Sequence, residues 1–203
     1  MGSQIGKEHD KLNHRILEVA LSLFNEYGIE NVSMHKIAKT AEIGQGTLYR
    51  RYINKSHLCM ALMEDRFNRC MLEIKEYLIN KKKQPVHERL RYLIVQLHLT
   101  IGEHLDWMRM LTISGTLEET SKDMYNSPFY TSIQEMIYAL LEEAKNKGET
   151  SIKDIELSSF MLASSMAPEL MFHLHKKGYS FKEIAENVAE IQLNPLFIQK
   201  KEG

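Results

Sequence analysis

Helix breakers are scarce in this chain. It holds four prolines and ten glycines in 203 residues. Leu, Met, Glu, Lys and Ala, all good helix formers, fill the stretches between them, so helix is the expected secondary structure throughout. No β-period segment of any length and no internal repeat breaks that pattern. Cysteine is nearly missing, and Cys59 and Cys70 alone exclude a disulfide framework. They stand eleven residues apart on what reads as one helix, about 16 Å along it at ~1.5 Å per residue. A bridge between them would require that helix to unfold, and a reducing, cytoplasmic location is expected. No apolar run approaches the ~18 residues that a membrane span needs. The opening "MGSQIGKEHDK" has no apolar stretch of a secretory signal, and Gly6 stands where N-myristoylation needs Ser or Thr. There is no nucleophile elbow, P-loop or dinucleotide fingerprint, so an enzyme is not expected. The nine histidines are scattered. Glu169 and His173 stand at i,i+4 with His175 beside them, but no three ligands fall at metal spacing, and neither a metal nor a cofactor is expected.

With 43% hydrophobic and 26% charged residues, the composition is that of an ordinary globular protein with chain enough for a sizeable core. The formal net charge of −1 hides an uneven distribution. Between Ser33 and Lys55 five cations (Lys36, Lys39, Arg50, Arg51 and Lys55) stand against one acid, Glu42, whereas beyond residue 60 the chain is net acidic. A local basic patch on a near-neutral protein is the footprint of a small nucleic-acid-binding module joined to something else.

Helical periodicity and capping residues predict an all-α chain of about nine helices. Leu12, Ile16, Val19, Ala20, Leu23, Phe24 and Tyr27 make one amphipathic face, and Gly28 closes that helix. Ser33 caps a short second helix with Ile37, Ala38 and Ala41 turned inward. A third runs roughly from Gln45 to Arg51, and Asn54 caps a fourth that extends to about Lys82. Pro85, at a first-turn position, opens a fifth, and "LDWMRMLTI" makes a short sixth. Ser114 to Asn126 reads as largely loop. Ser127-Pro128 starts a seventh helix that Gly148 ends. Ser151-x-x-Asp154 starts an eighth that runs to Lys177 and bends at Pro168. Ser180-x-x-Glu183 is a capping box for the ninth, which Asn194-Pro195 ends.

The stretch "IAKTAEIGQGTLYRRY" shows what the basic patch is for. Three short helices, the last two joined by a tight turn, describe a helix-turn-helix unit, whose third helix enters the DNA major groove. Gly44 and Gly46 leave backbone free to approach a phosphate closely. Gln45 and Thr47 are short polar groups that reach bases, and Tyr49, Arg50 and Arg51 offer donors to phosphate oxygens. Leu48 faces back to Ile37, Ala38 and Phe24. The run "SMHKIAKTAEIGQGTLYRRYINKSHL" resembles the DNA-binding signature of the TetR family of bacterial transcription regulators. Ile37, Ala38, Ala41, Gly46, Thr47, Leu48, Tyr49, Lys55 and Leu58 match it, with Ile43 and Tyr52 as conservative replacements. Two residues depart from it. Glu42 stands where the family usually has glycine, so a non-glycine residue is expected at φ > 0, at a cost of about 1 kcal/mol or less. Gly44 replaces the usual Ser, which removes a capping hydroxyl. Carried over by position, the resemblance implies DNA contacts at Ser33, Lys36, Gln45, Gly46, Thr47, Tyr49, Arg50, Arg51 and Lys55.

The resemblance also implies a division into a DNA-binding domain over residues 1–53 and a helical effector-binding and dimerisation domain over 54–203. The expected effector lining is Met63, Phe67, Met71, His98, Trp107, Met110, Phe129 and Tyr130. These are apolar and aromatic positions with His98 as the one titratable group, which suits a small, largely hydrophobic molecule. The last two helices are expected to form a homodimer through Ala163, Ser164, Ala167, Ile184, Val188 and Ile191. Such a dimer would present two reading helices to a palindromic operator on double-stranded DNA. The function expected is a dimeric, ligand-released repressor in the bacterial cytoplasm, with no membrane partner. A rival reading is a helical ligand carrier or protein-interaction domain whose DNA head has lost its role. The cations and Gly-rich turn kept together argue against that rival.

Overall fold

The computed structural model describes residues 2–108 and 127–197, with side chains from residue 11 onward. Met110 and most of the expected sixth helix lie outside the described residues. Nine α-helices occur among the described residues: α1 (Gly2–Tyr27), α2 (Met34–Thr40), α3 (Gln45–Arg51), α4 (Lys55–Asn80), α5 (Val86–Glu103), α6 (Pro128–Asn146), α7 (Ile155–Ser164), α8 (Pro168–Lys176) and α9 (Phe181–Leu193). Residues 105–108 are helical as well. An isolated antiparallel bridge joins Thr150 to Phe197. No described helix is long and apolar enough to cross a membrane.

Local chemistry sets the ends of these helices. Ser33, Ser127, Asp154 and Ser180 each accept the backbone N–H three residues ahead, which satisfies a first-turn donor that the helix itself cannot pair. At Ser180 the capping box is complete, because Glu183 also accepts from the Ser180 backbone. Asn54 does the same for α4, accepting from His57 N at 2.9 Å. Pro85 takes the N-cap position of α5, one residue earlier than the first helical turn expected for it. Three helices close alike. The N–H groups after α2, α6 and α8 return to Ala38, Ala144 and Leu174, which requires one residue in the left-handed region. Gly148 and Gly178 supply it at φ 66° and 101°, and Glu42 supplies it at φ 54°.

The chain folds as two compact units. The first takes the described residues up to Arg66 together with 106–108. Ile16, Ala20, Leu23 and Phe24 of α1 meet Ile37 and Ala38 of α2 and Leu48 of α3 in its core. Leu58, Cys59 and Leu62 of α4 are buried with them, each Leu or Ile at roughly 1.5–3 kcal/mol of apolar burial. The division expected after residue 53 follows the recognition sequence alone. The packing runs on to Arg66 because the first turns of α4 are part of the same core.

In the second unit α5 is the central helix, with Val86, Leu90, Leu93, Ile94 and Leu97 fully buried. It packs against α6, α8 and α9, and α6 packs against α7. Gly102 of α5 lets α9 come close: a Cβ there would lie 2.6 Å from Phe181 Cγ. Arg89, buried on α5, pairs with Glu143 of α6, which also receives Lys147 at 2.7 Å. Burial alone would raise the Glu143 carboxyl, but the bonds from Lys147 and Arg89 outweigh it and hold the carboxyl below its ordinary range. The expected long eighth helix is two helices, α7 and α8. Pro168 lacks an N–H and pushes Ala167 into extended geometry (φ −62°, ψ 123°), so the helix stops and restarts instead of bending.

Candidate nucleic-acid interface

The turn between α2 and α3 determines which side chains face outward. Because Glu42 closes α2 in the left-handed region and Ile43 N returns to Ala38 O at 3.0 Å, only four residues separate α3 from α2. Leu48 is the buried anchor of α3. Gln45, Gly46, Tyr49 and Arg50 are all exposed around it, with Thr47 half-buried beside them. None of these outward residues belongs to the core of the unit.

Gly46 is the most telling of them. It is the second residue of α3, in helical conformation, and a Cβ added to it would meet nothing within 4 Å. Glycine within a helix costs roughly 0.5–1 kcal/mol relative to alanine. Nothing inside the molecule requires that cost. Gly44, the N-cap, has extended geometry (φ −65°, ψ 143°), and a Cβ there would come no nearer than 3.9 Å to Thr47 Oγ1. Neither glycine is forced by the fold.

The remaining expected contacts divide. Ser33 and Lys36 are at the start of α2, where the Ser33 hydroxyl accepts from Lys36 N at 3.2 Å. The Lys36 ammonium lies 3.1 Å from the centroid of the Tyr27 ring. Arg50 donates to Thr47 Oγ1 at 3.3 Å along the exposed edge of α3. Arg51 turns the other way and donates to Asn13 Oδ1 of α1 at 3.4 Å. That same oxygen receives the Tyr52 hydroxyl at 2.8 Å, so Asn13 pins the end of α3 to α1. Burial raises the Tyr52 phenol, opposed by the Arg51 charge and the Asn13 bond. Lys55 is committed to the fold. Its ammonium donates to Ile29 O at 2.7 Å and Val32 O at 3.1 Å, bracing the segment that leads into α2. Two of its three N–H donors are thereby used. Sequence reading missed Asn13 and His35. His35 is an exposed residue of α2 whose Nδ1 receives the Gln45 amide, and no local pattern marks either one.

The expected effector residues fall in both units. Trp107 is in the core of the first unit, edge-on to Phe24 with ring centroids 6.0 Å apart, and Met63 packs on that same core. Phe67, Met71, His98, Phe129 and Tyr130 belong to the second unit, where Phe67 meets Phe129. His98 is fully buried and its Nδ1 donates to Ile94 O at 2.8 Å. Its Nε2 has no hydrogen-bond partner among the described residues, and burial lowers its pKa. The Ser165 backbone influences that titration without reaching bonding geometry. The Tyr130 hydroxyl is shared with Phe160 O and Ser164 Oγ. Of the expected dimer residues, Ala163 and Ile184 are buried within the unit, Ser164, Ala167 and Val188 are half-buried, and Ile191 is 72% exposed. Cys59 and Cys70 are buried thiols, and burial pushes Cys59 up to about 12. No group of three metal-binding side chains occurs among the described residues.

Residues 16–62 match the model of bacterial regulatory proteins of the tetR family. An HTH-type transcriptional regulator of Staphylococcus aureus (strain bovine RF122 / ET3-1) is 32% identical over 130 residues. That alignment takes in 63% of this chain and 66% of the relative, just under two thirds of it. A second, from strain USA300, is 27% identical over 182 residues, 90% of this chain and 94% of the relative. In fold, the chain is similar to Thermus thermophilus FadR, a TetR-family transcriptional repressor solved in complex with lauroyl-CoA. The TM-score is 0.62 at 17% identity, over 94% of this chain and 98% of that one. These relatives are regulators and not enzymes. Residues 16–62 thus carry the DNA-binding head of the tetR family of bacterial regulatory proteins, and the chain is similar over 90% of its length to an HTH-type transcriptional regulator.

Proposed function

We propose that this regulator is a homodimeric repressor of the bacterial cytoplasm that occupies a palindromic operator and leaves it when a small, largely hydrophobic effector binds. The observation that carries the DNA-reading part is the outward face of α3. Gln45, Gly46, Thr47, Tyr49 and Arg50 are spared by the core, and Gly46 costs the helix stability with no intramolecular return. Gln45 and Thr47 read base edges, while Ser33, Lys36, Tyr49 and Arg50 position the head on phosphates. Arg51 and Lys55 act mainly by holding α3 and the entry to α2 in place.

An apolar face in the second unit supports the dimer. Leu157, Phe160 and Met161 follow one another at helical spacing on α7, with Leu170 on α8 and Ile191 on α9, and all are exposed. A two-fold dimer that reads a palindromic operator presents its two α3 helices about one DNA turn, ~34–36 Å, apart. The effector part rests on Phe67, Met71, Phe129 and Tyr130, which share the second unit with the buried His98; its Nε2, without a partner among the described residues, can orient one polar group of an otherwise apolar ligand. Linkage requires the effector to bind the DNA-free form better than the DNA-bound form, and α4 has residues in both units. The test is to challenge a bound operator with uncharged or singly charged apolar compounds. Release over the range in which the compound raises the melting temperature of the free protein supports this reading, and release only by polyanions or metal ions overturns it.

A further inference from the structure

We infer that His35 is a positioning residue for base reading: its ring holds the Gln45 amide in the one orientation that recognises adenine. This rests on the proposal that α3 reads DNA, and it adds a residue of α2 to the reading machinery.

Gln45 is the first residue of α3 and His35 the second of α2, ten positions earlier. Both are exposed, and Gln45 Nε2 meets His35 Nδ1 directly. An amide nitrogen can only donate, so His35 Nδ1 accepts, and the neutral ring carries its proton on Nε2. The primary amide has two N–H groups. The one trans to its oxygen lies on the far edge of the amide plane. The one cis to the oxygen shares with Oε1 the edge that pairs with adenine, donating to N7 while Oε1 accepts from N6. A bond from the trans N–H to His35 therefore leaves the adenine-reading edge intact and turned outward. With the ring in that tautomer the flipped amide is disfavoured, because Oε1 would then face the lone pair of Nδ1.

A free glutamine would have to be immobilised when it binds and could present either edge. The amide flip exchanges donor for acceptor and would accommodate other bases. Prior fixation removes that ambiguity, and ordering one rotamer-rich side chain is worth about two- to tenfold in binding. His35 therefore contributes to sequence preference without touching a base.

The experiment selects DNA from a random pool with the full-length protein and three variants: Gln45→Ala, His35→Leu and His35→Asn. Leu removes the acceptor. Asn restores one, since its Oδ1 takes nearly the place of a histidine Nδ1. The expected result is that Gln45→Ala loses adenine preference at one symmetric pair of operator positions. His35→Leu should weaken the same pair about two- to tenfold, with non-specific affinity and melting temperature unchanged, and His35→Asn should recover it. The double variant Gln45→Ala/His35→Leu should show no further loss. An unchanged preference in His35→Leu, or a change at a different operator position, overturns the inference and in the second case makes His35 a direct reader. If the unsubstituted protein selects no sequence, the DNA-reading proposal falls, and this inference falls with it.

Discussion

Replacing Gly46 by alanine should move stability and DNA binding in opposite directions. In the free protein the added methyl group meets nothing within 4 Å, and the backbone at position 46 is already helical. Glycine in a helix costs roughly 0.5–1 kcal/mol relative to alanine. The position lies in the first turn, so about 0.5 kcal/mol is the reasonable gain, or roughly 2–4 °C in the melting of a unit this small. On DNA the methyl group enters a surface that the account places flush against the duplex. Forcing one extra carbon into a packed interface costs about 1–3 kcal/mol, or roughly 5- to 150-fold in affinity. No cation is removed, so the salt dependence should keep its slope. Thermal melts and anisotropy titrations on a labelled operator, at two salt concentrations, read all three quantities. A variant that is more stable and binds DNA as tightly as before would refute the reasoning, since the glycine would then have no partner at all.

The pH response of the second unit can be followed through His98. Burial lowers its folded pKa below the ordinary ~6.5 of the unfolded chain. Below that value the unfolded state takes up a proton that the folded state refuses, so stability is full above ~6.5 and falls as the pH drops through it. Urea melts of the wild type and His98→Gln at pH 7.5 and 5.5 should show a smaller acid loss in the variant, and equal losses would count against the assignment. Gly102→Ala puts a Cβ 2.6 Å from Phe181 Cγ. The α5–α9 contact should then loosen by about 1–3 kcal/mol, seen as a lower thermal midpoint, and an unchanged midpoint would mean the two helices do not meet there. Met161, 66% exposed in the apolar face of α7, is the probe of dimerisation. An aspartate there would be desolvated in the dimer at a cost of several kcal/mol, so Met161→Asp should sediment as a monomer, and an intact dimer would locate the interface elsewhere.

The helix boundaries were largely legible in the sequence because their signals are local. Ser33, Asn54 and Ser180 bond to backbone within three residues, and Gly28, Gly148 and Gly178 each take the positive φ that ends a helix. The non-glycine positive φ expected at Glu42 is also there. What the sequence could not show depends on distant packing. Arg51 and Lys55 look like any exposed cations until Asn13, Ile29 and Val32 are found beside them. Trp107 reads as pocket lining from its own segment, whereas its ring is packed against Phe24, more than eighty residues earlier. Ile184 steps with Val188 and Ile191 at helical spacing, and Ala163 is small enough for a close helix approach, yet both are buried within the unit. Periodicity says which residues share a face. It does not say what covers that face.

The most direct test of the central claim, that α3 reads DNA through Gln45 and its neighbours, is selection of bound duplexes from a random pool by the full-length chain. The expected result is enrichment of an inverted repeat whose half-sites are centred about one helical turn apart, ~10 base pairs, with adenine preference at one symmetric pair lost in Gln45→Ala. Failure to enrich any sequence, or the same enriched site from Gln45→Ala, would contradict it.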